Sequence, residues 1–227
     1  MPRFSTLTAL SLTLAITLAG CGTTSARPTP SRIDLPGITV DLEENDVRLA
    51  AEVCLARGQL EYVLCRPGTF EHESIFITRS IPEHLHTALL MIGATPVPMR
   101  DEHFWITAAQ EPAAHIDIDV TWQDERGERQ CALHELLADQ AGGTVAAADW
   151  LFNGSHFITE GSGQRYAANN AGMLIAVIAQ PAAVIHFGHQ AGDPQQAPAQ
   201  ALTIRSESCP PVGTAVQLRF RLAVTTD

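Results

Sequence analysis

Lysine is absent from this 227-residue chain: all 14 basic residues are arginine, against 25 acidic ones, for a net charge of −11. Such a chain has no clustered positive charge to hold phosphate backbones, which removes nucleic acid from the expected partners. No Cys-x-x-Cys occurs, so zinc-finger and iron–sulfur ligation have no spacing to support them. Complete catalytic motifs are missing as well. His134-Glu135 starts like the zinc-protease pattern, but Ala138 stands where the second histidine is needed. Ser155, in Asn153-Gly154-Ser155-His156, lacks the G-x-S-x-G setting of a nucleophile elbow. No glycine-rich loop suited to cradling phosphate is present. The first apolar run is also too short to span a bilayer, which takes roughly 20 apolar residues.

That run has another meaning. Arg3 provides a short positive segment, Leu7 to Ala19 is almost free of charge, and Leu18-Ala19-Gly20-Cys21 follows. This is the layout of a secretory signal peptide, and its last four residues resemble the lipobox of bacterial lipoproteins. The resemblance implies removal of residues 1–20, lipidation of Cys21, and attachment to a membrane through the lipid. Several acyl chains at about 0.8 kcal/mol per buried methylene make such an anchor effectively permanent. Gly22, rather than Asp, follows the anchor, which in Gram-negative lipoproteins favours the outer membrane. The expected location is therefore the cell envelope. Residues 21–39 read as a flexible tether, led by the Thr-, Ser- and Pro-rich stretch 22–31. Residues 40–227 read as the globular domain, long enough to bury a sizeable core.

With Cys21 lipidated, Cys54, Cys65, Cys131 and Cys209 remain. An exported compartment permits disulfides, and four cysteines allow three pairings. A turn centred on Arg57-Gly58 would set Cys54 and Cys65 on one face but roughly 13 Å apart. A disulfide needs Cα atoms within about 7 Å, so that pairing is not favoured.

Strand patterns dominate the chain. Ile116, Ile118, Val120 and Trp122 alternate with His115, Asp117, Asp119 and Thr121; Val216, Leu218, Phe220 and Leu222 alternate with Gln217, Arg219 and Arg221. Met173 to Ala179 is a continuous apolar run suited to a central strand. Gln164 to Ala168 reads as a weaker strand, and 188–201 as a surface loop. One helix is clear at about 80–93. Ser80 and Glu83 form a capping-box pattern, Pro82 sits in the first turn, Ile81, Leu85, Ala88, Leu89 and Ile92 recur at helical spacing, and Gly93 ends the pattern. The expected fold class is α+β: a predominantly antiparallel sheet with at least one packed amphipathic helix.

From Gly58 the sequence runs GQLEYVLCRPGTFEHESIFITRSIPEHLHTALLMIGA. Its Leu-Glu-Tyr before a cysteine, its His-Glu-Ser triplet and its helix with His, Ala and Leu resemble the YdjY-domain family. DWLFNGSHF (149–157), RYAANNAGMLIAV (165–177) and PPVGTAVQL (210–218) are similar to that family's second half, so the resemblance covers roughly residues 40–225. It implies no established activity. Members are sometimes described as ferredoxin-like, but this chain lacks a ferredoxin cysteine run, so no electron-transfer role is carried over.

The richest set of reactive residues is Cys65, His72, Glu73 and His86. Convergence of such groups would make a divalent-metal site or an acid–base pair. His84 and His86 lie about 200° apart around a helix, and the family pattern favours His86. His115, Asp117 and Asp119 could gather a hard cation on one strand face, although a solvated face is the plainer expectation. Arg219 and Arg221 carry the same two readings, acidic ligand or solvent. The expected role is non-catalytic binding by a lipid-anchored domain; the alternative is a metal-binding protein or metal-dependent hydrolase using His72, Glu73 and His86.

Overall fold

A computed structural model describes residues 31–99, 111–139, 141–145, 150–161, 163–188 and 202–223. The expected signal peptide, Cys21, Asp149, His189 and most of the 188–201 loop lie outside the described residues. The folded unit starts at Ser31, so the composition-based boundary at residue 40 falls inside it. Strands β1 (Arg32–Leu35) and β2 (Ile38–Asp41) already belong to the sheet. Among the described residues, no helix is long and apolar enough to cross a membrane.

The protein is mostly β, and its main sheet closes into an eight-stranded barrel. This corrects the expected α+β fold of sheet and packed helix. The barrel runs β3 (Asp46–Val53), β16 (Ala215–Leu222), β7 (His115–Asp124), β10 (Trp150–Phe152), β14 (Ile185–Phe187), β13 (Met173–Ala176), β5 (Tyr62–Cys65) and β6 (Ser74–Ile77). The Glu52↔Ile77 and Val53↔Phe76 pairs between β3 and β6 close the ring. Closure is a non-local pairing with no periodicity of its own, so alternation within single strands could not announce it. Nor is the sheet purely antiparallel, because β5 and β6 pair in parallel, as do β13 and β14.

Both long outer strands change partner part-way along. Strand β3 pairs first with β2 and then with β6. Strand β7 pairs with β10 at its start and with β8 (Gly127–Ala132) towards its end. A separate three-stranded sheet joins β4 (Gln59–Leu60), β15 (Leu202–Ile204) and β9 (Leu137–Ala138).

The barrel is filled by side chains, as expected when eight strands leave an interior only wide enough for them. Leu218 and Phe220 of β16 are fully buried, opposite Val120 and Ile118 of β7 and Leu49 and Val47 of β3. Burying one such side chain contributes about 1.5–3 kcal/mol over leaving it exposed. Helix α1 spans Pro82–Met91 and buries Leu85, Ala88 and Leu89 in the same core, packing on β2 and β13. It packs on the sheet as a single short helix and does not form a layer of its own. The expected capping box is not made. The Ser80 hydroxyl donates to the Pro36 carbonyl at 3.2 Å, and Ile81 is the N-cap, without a side-chain bond. The Gln164–Ala168 stretch also differs from expectation: strand β12 (Gly163–Tyr166) ends and helix α2 (Ala167–Ala171) begins there.

Candidate functional site

The four residues singled out from sequence do not converge. Among the described residues, no three His, Cys, Asp or Glu side chains form a group able to hold a metal ion. Glu71–Glu73 form a 3-10 turn entering β6, and His72 is 74% exposed there, with its Nε2 3.6 Å from Glu73. Cys65 is fully buried on β5, between Met173 of β13 and Ile77 of β6. Burial raises its pKa, which opposes the thiolate a metal ligand must be. His86 belongs to a different neighbourhood on α1. The remaining member of the His-Glu-Ser triplet, Ser74, is buried and donates to the Phe76 carbonyl at 3.2 Å. The triplet is a buttressed turn.

Cys54, Cys65, Cys131 and Cys209 are free thiols, so none of the three pairings that four cysteines allow is made. Burial pushes Cys54 and Cys131 up to about 12 and Cys209 to about 11. The charges on the barrel's outer surface pair with each other. Asp46, fully buried, accepts from Arg48 at 3.0 Å and Arg219 at 2.6 Å, and Asp119 pairs with Arg221. Arg219 and Asp119 are bonded across strands, and Arg219 is still partly open to solvent.

The polar side chains that do converge centre on the Asn153-Gly154-Ser155-His156 turn after β10. Gly154 (φ +73°) and Ser155 (φ +54°) are both left-handed. A side chain at Gly154 would put its Cβ 2.6 Å from Pro96 and 3.1 Å from His86, so only glycine fits this close approach. The Gly154 carbonyl lies 2.9 Å from His86 Nδ1 and accepts the Tyr166 hydroxyl at 2.7 Å. A carbonyl only accepts, so His86 carries its proton on Nδ1. Burial lowers the pKa of this ring, while the Gly154 carbonyl and the Glu83 carboxylate partly offset that. Ser155 donates to the Ala182 carbonyl at 2.8 Å and accepts from the Ala168 N–H at 3.2 Å. Asn153 donates to the Ala183 carbonyl at 2.8 Å and faces His186 Nδ1 at 2.8 Å. The Gln180 N–H donates to the other nitrogen of His186 at 2.8 Å. Burial drives the His186 pKa down to about 3, so it is a neutral pin through the short strands.

Tyr166 joins this hub to a cleft of about 410 Å³ lined by Glu83, Phe157, Gln164, Arg165, Tyr166, Asn169 and Asn170. The cleft lies between the start of α1 and the hairpin of β11 (Phe157–Glu160) and β12. Asn169 of α2 accepts from the Glu83 N–H and donates to the Glu83 carboxylate, both at 3.0 Å. This satisfies one of the unpaired amides of the α1 N-terminus from another element, replacing the cap expected from Ser80. Arg165 pairs with Glu160 at 3.1 Å. Phe157 is 61% exposed, its ring centre 5.4 Å from that of Tyr166. Sequence reasoning missed these residues as a site. The available signal was the Asn169-Asn170 pair beside Tyr166, within a segment already similar to the family.

Comparison with known proteins agrees with that similarity. The family model of the YdjY domain matches residues 38–221. No curated protein and no solved structure matches the chain.

Proposed function

The chain belongs to the YdjY-domain family, and on that premise we propose that it is a lipid-anchored cell-envelope protein whose barrel binds a ligand in the Glu83–Phe157–Asn170 cleft without transforming it. The Leu-Ala-Gly-Cys run supports the anchor: lipid on Cys21 holds the domain at a membrane surface. The cleft carries the binding reading, because its walls are set before any ligand arrives. The reciprocal Glu83–Asn169 pair locks helix to helix, and preorganised polar groups in a concave site are what small-ligand binding needs. The reactive groups beside the cleft are committed to structure. His86 Nδ1 is held by Gly154 and Tyr166, and the Ser155 hydroxyl is held by Ala182.

Two experiments test the two parts. Metabolic labelling with a tagged fatty acid should mark the wild-type chain and spare Cys21→Ala; equal labelling of both defeats the anchor. The full chain in detergent micelles, titrated with separated protein, lipid and glycan fractions of an envelope extract, should show amide shifts confined to Glu83 and residues 157–170. Silence there with every fraction defeats the binding reading.

A further inference from the structure

Resting on that binding reading, we propose that the cleft's ligand is a neutral saccharide, with a pyranose ring laid on Phe157 and its hydroxyls held by the amides of Gln164 and Asn170. Among the described residues, Phe157 is the one aromatic ring among the exposed large hydrophobic side chains. It lines the cleft together with Glu83, Gln164, Asn169 and Asn170. A ring in that setting offers a flat apolar face, and pyranoses have a matching face of C–H groups. Burying such a face on an aromatic adds affinity and fixes orientation.

The polar groups narrow the class. Gln164 and Asn170 carry side-chain amides, each able to donate and accept. Sugar hydroxyls also donate and accept, so adjacent hydroxyls and paired amides can satisfy each other. Arg165 is already paired with Glu160, so an anionic ligand would meet no uncompensated cation. Glu83 keeps its charge, but its carboxylate is held by the Asn169 amide, which leaves the amides of Gln164 and Asn170 as the cleft's neutral polar groups. The tilted Tyr166 ring stands beside Phe157 as its cross-strand partner, and its hydroxyl is tied to the Gly154 carbonyl. The platform is therefore braced by the hub under the cleft.

Calorimetric titration of the full chain in detergent with chitotetraose, cellotetraose and maltotetraose tests this, at up to about 10 mM so that a site with a Kd of about 1 mM would fill. Heat with at least one sugar is expected. Phe157→Ala should lower that affinity about tenfold or more, Phe157→Trp should restore it, and Asn170→Ala should weaken it. Unchanged thermal melting of the variants shows that they remain folded. No heat with any of the three sugars, or Phe157→Ala binding as tightly as wild type, overturns the inference. If the sugars fail while the protein or lipid fraction shifts the cleft amides, the saccharide is wrong and binding stands; if no fraction shifts them, both readings fall.

Discussion

Strands β3, β16 and β7 run for eight, eight and ten residues and pair in continuous register. Across the barrel, β10, β14, β13, β5 and β6 are three or four residues long. Two of their pairings are parallel, and the β13–β5 register shifts twice. The long half is held by its own ladder, with an alternating core inside and the Asp46–Arg48–Arg219 cluster outside. The short half has too few ladder bonds for that. Side-chain-to-backbone bonds from Asn153, Ser155, Tyr166 and Ser74 take their place. A wall made from side chains and turns can be shaped into a cleft, and the cleft is on that side.

The largest effect is expected in the long half. Asp46→Ala leaves Arg48 and Arg219 facing each other without their shared carboxylate. Removing one partner of a buried pair costs about 3–5 kcal/mol; because both arginines reach solvent, about 3 kcal/mol is expected. Denaturant unfolding measures it, and an unchanged midpoint would show that the outer cluster does not hold the ladder. Amide shifts around Phe157 should be unaffected.

The short half should answer to pH instead. His186 is ordinarily a group of pKa 6.5, pushed down to about 3 in the folded chain by burial. Its contribution is therefore complete above pH 6.5, where both states are neutral. It is lost as pH falls, because the unfolded chain takes up the proton first. The loss attributable to this residue is about 2 kcal/mol between pH 6.5 and pH 5. Comparing wild type with His186→Gln isolates it: the variant should lack that slope whatever its absolute stability. Parallel slopes would remove His186 as the pin.

Tyr166→Phe should have the smallest effect, about 1 kcal/mol of thermal stability, for one hydrogen bond lost at the Gly154 carbonyl. It should also alter the pH at which the His86 ring titrates in NMR spectra, since that ring loses a 2.7 Å neighbour. An unmoved His86 titration would separate the hub from the helix.

The same division explains what could be read in advance. Val216, Leu218 and Phe220 alternate in sequence and are buried in the structure. An amphipathic strand shows its two faces to anyone who counts by twos. The α1 core positions Leu85, Ala88 and Leu89 were legible for the corresponding reason at helical spacing. The His-Glu-Ser triplet misled because reactive residue types close in sequence need not converge: His72 points to solvent while Cys65 is sealed between strands. His86 does sit in a polar hub, but its partners, Gly154 and Tyr166, are 68 and 80 residues away.

The sequence by itself determined the family, through segments matched over residues 38–221, and the inward faces of the long strands, because local periodicity encodes them. Only the tertiary structure decided that the sheet closes on itself through β3 and β6. Only it decided that a helix N-terminus is capped by an asparagine 86 positions away, at Asn169. Closure and capping of this kind depend on non-local geometry, which becomes definite only when distant segments bury a common core.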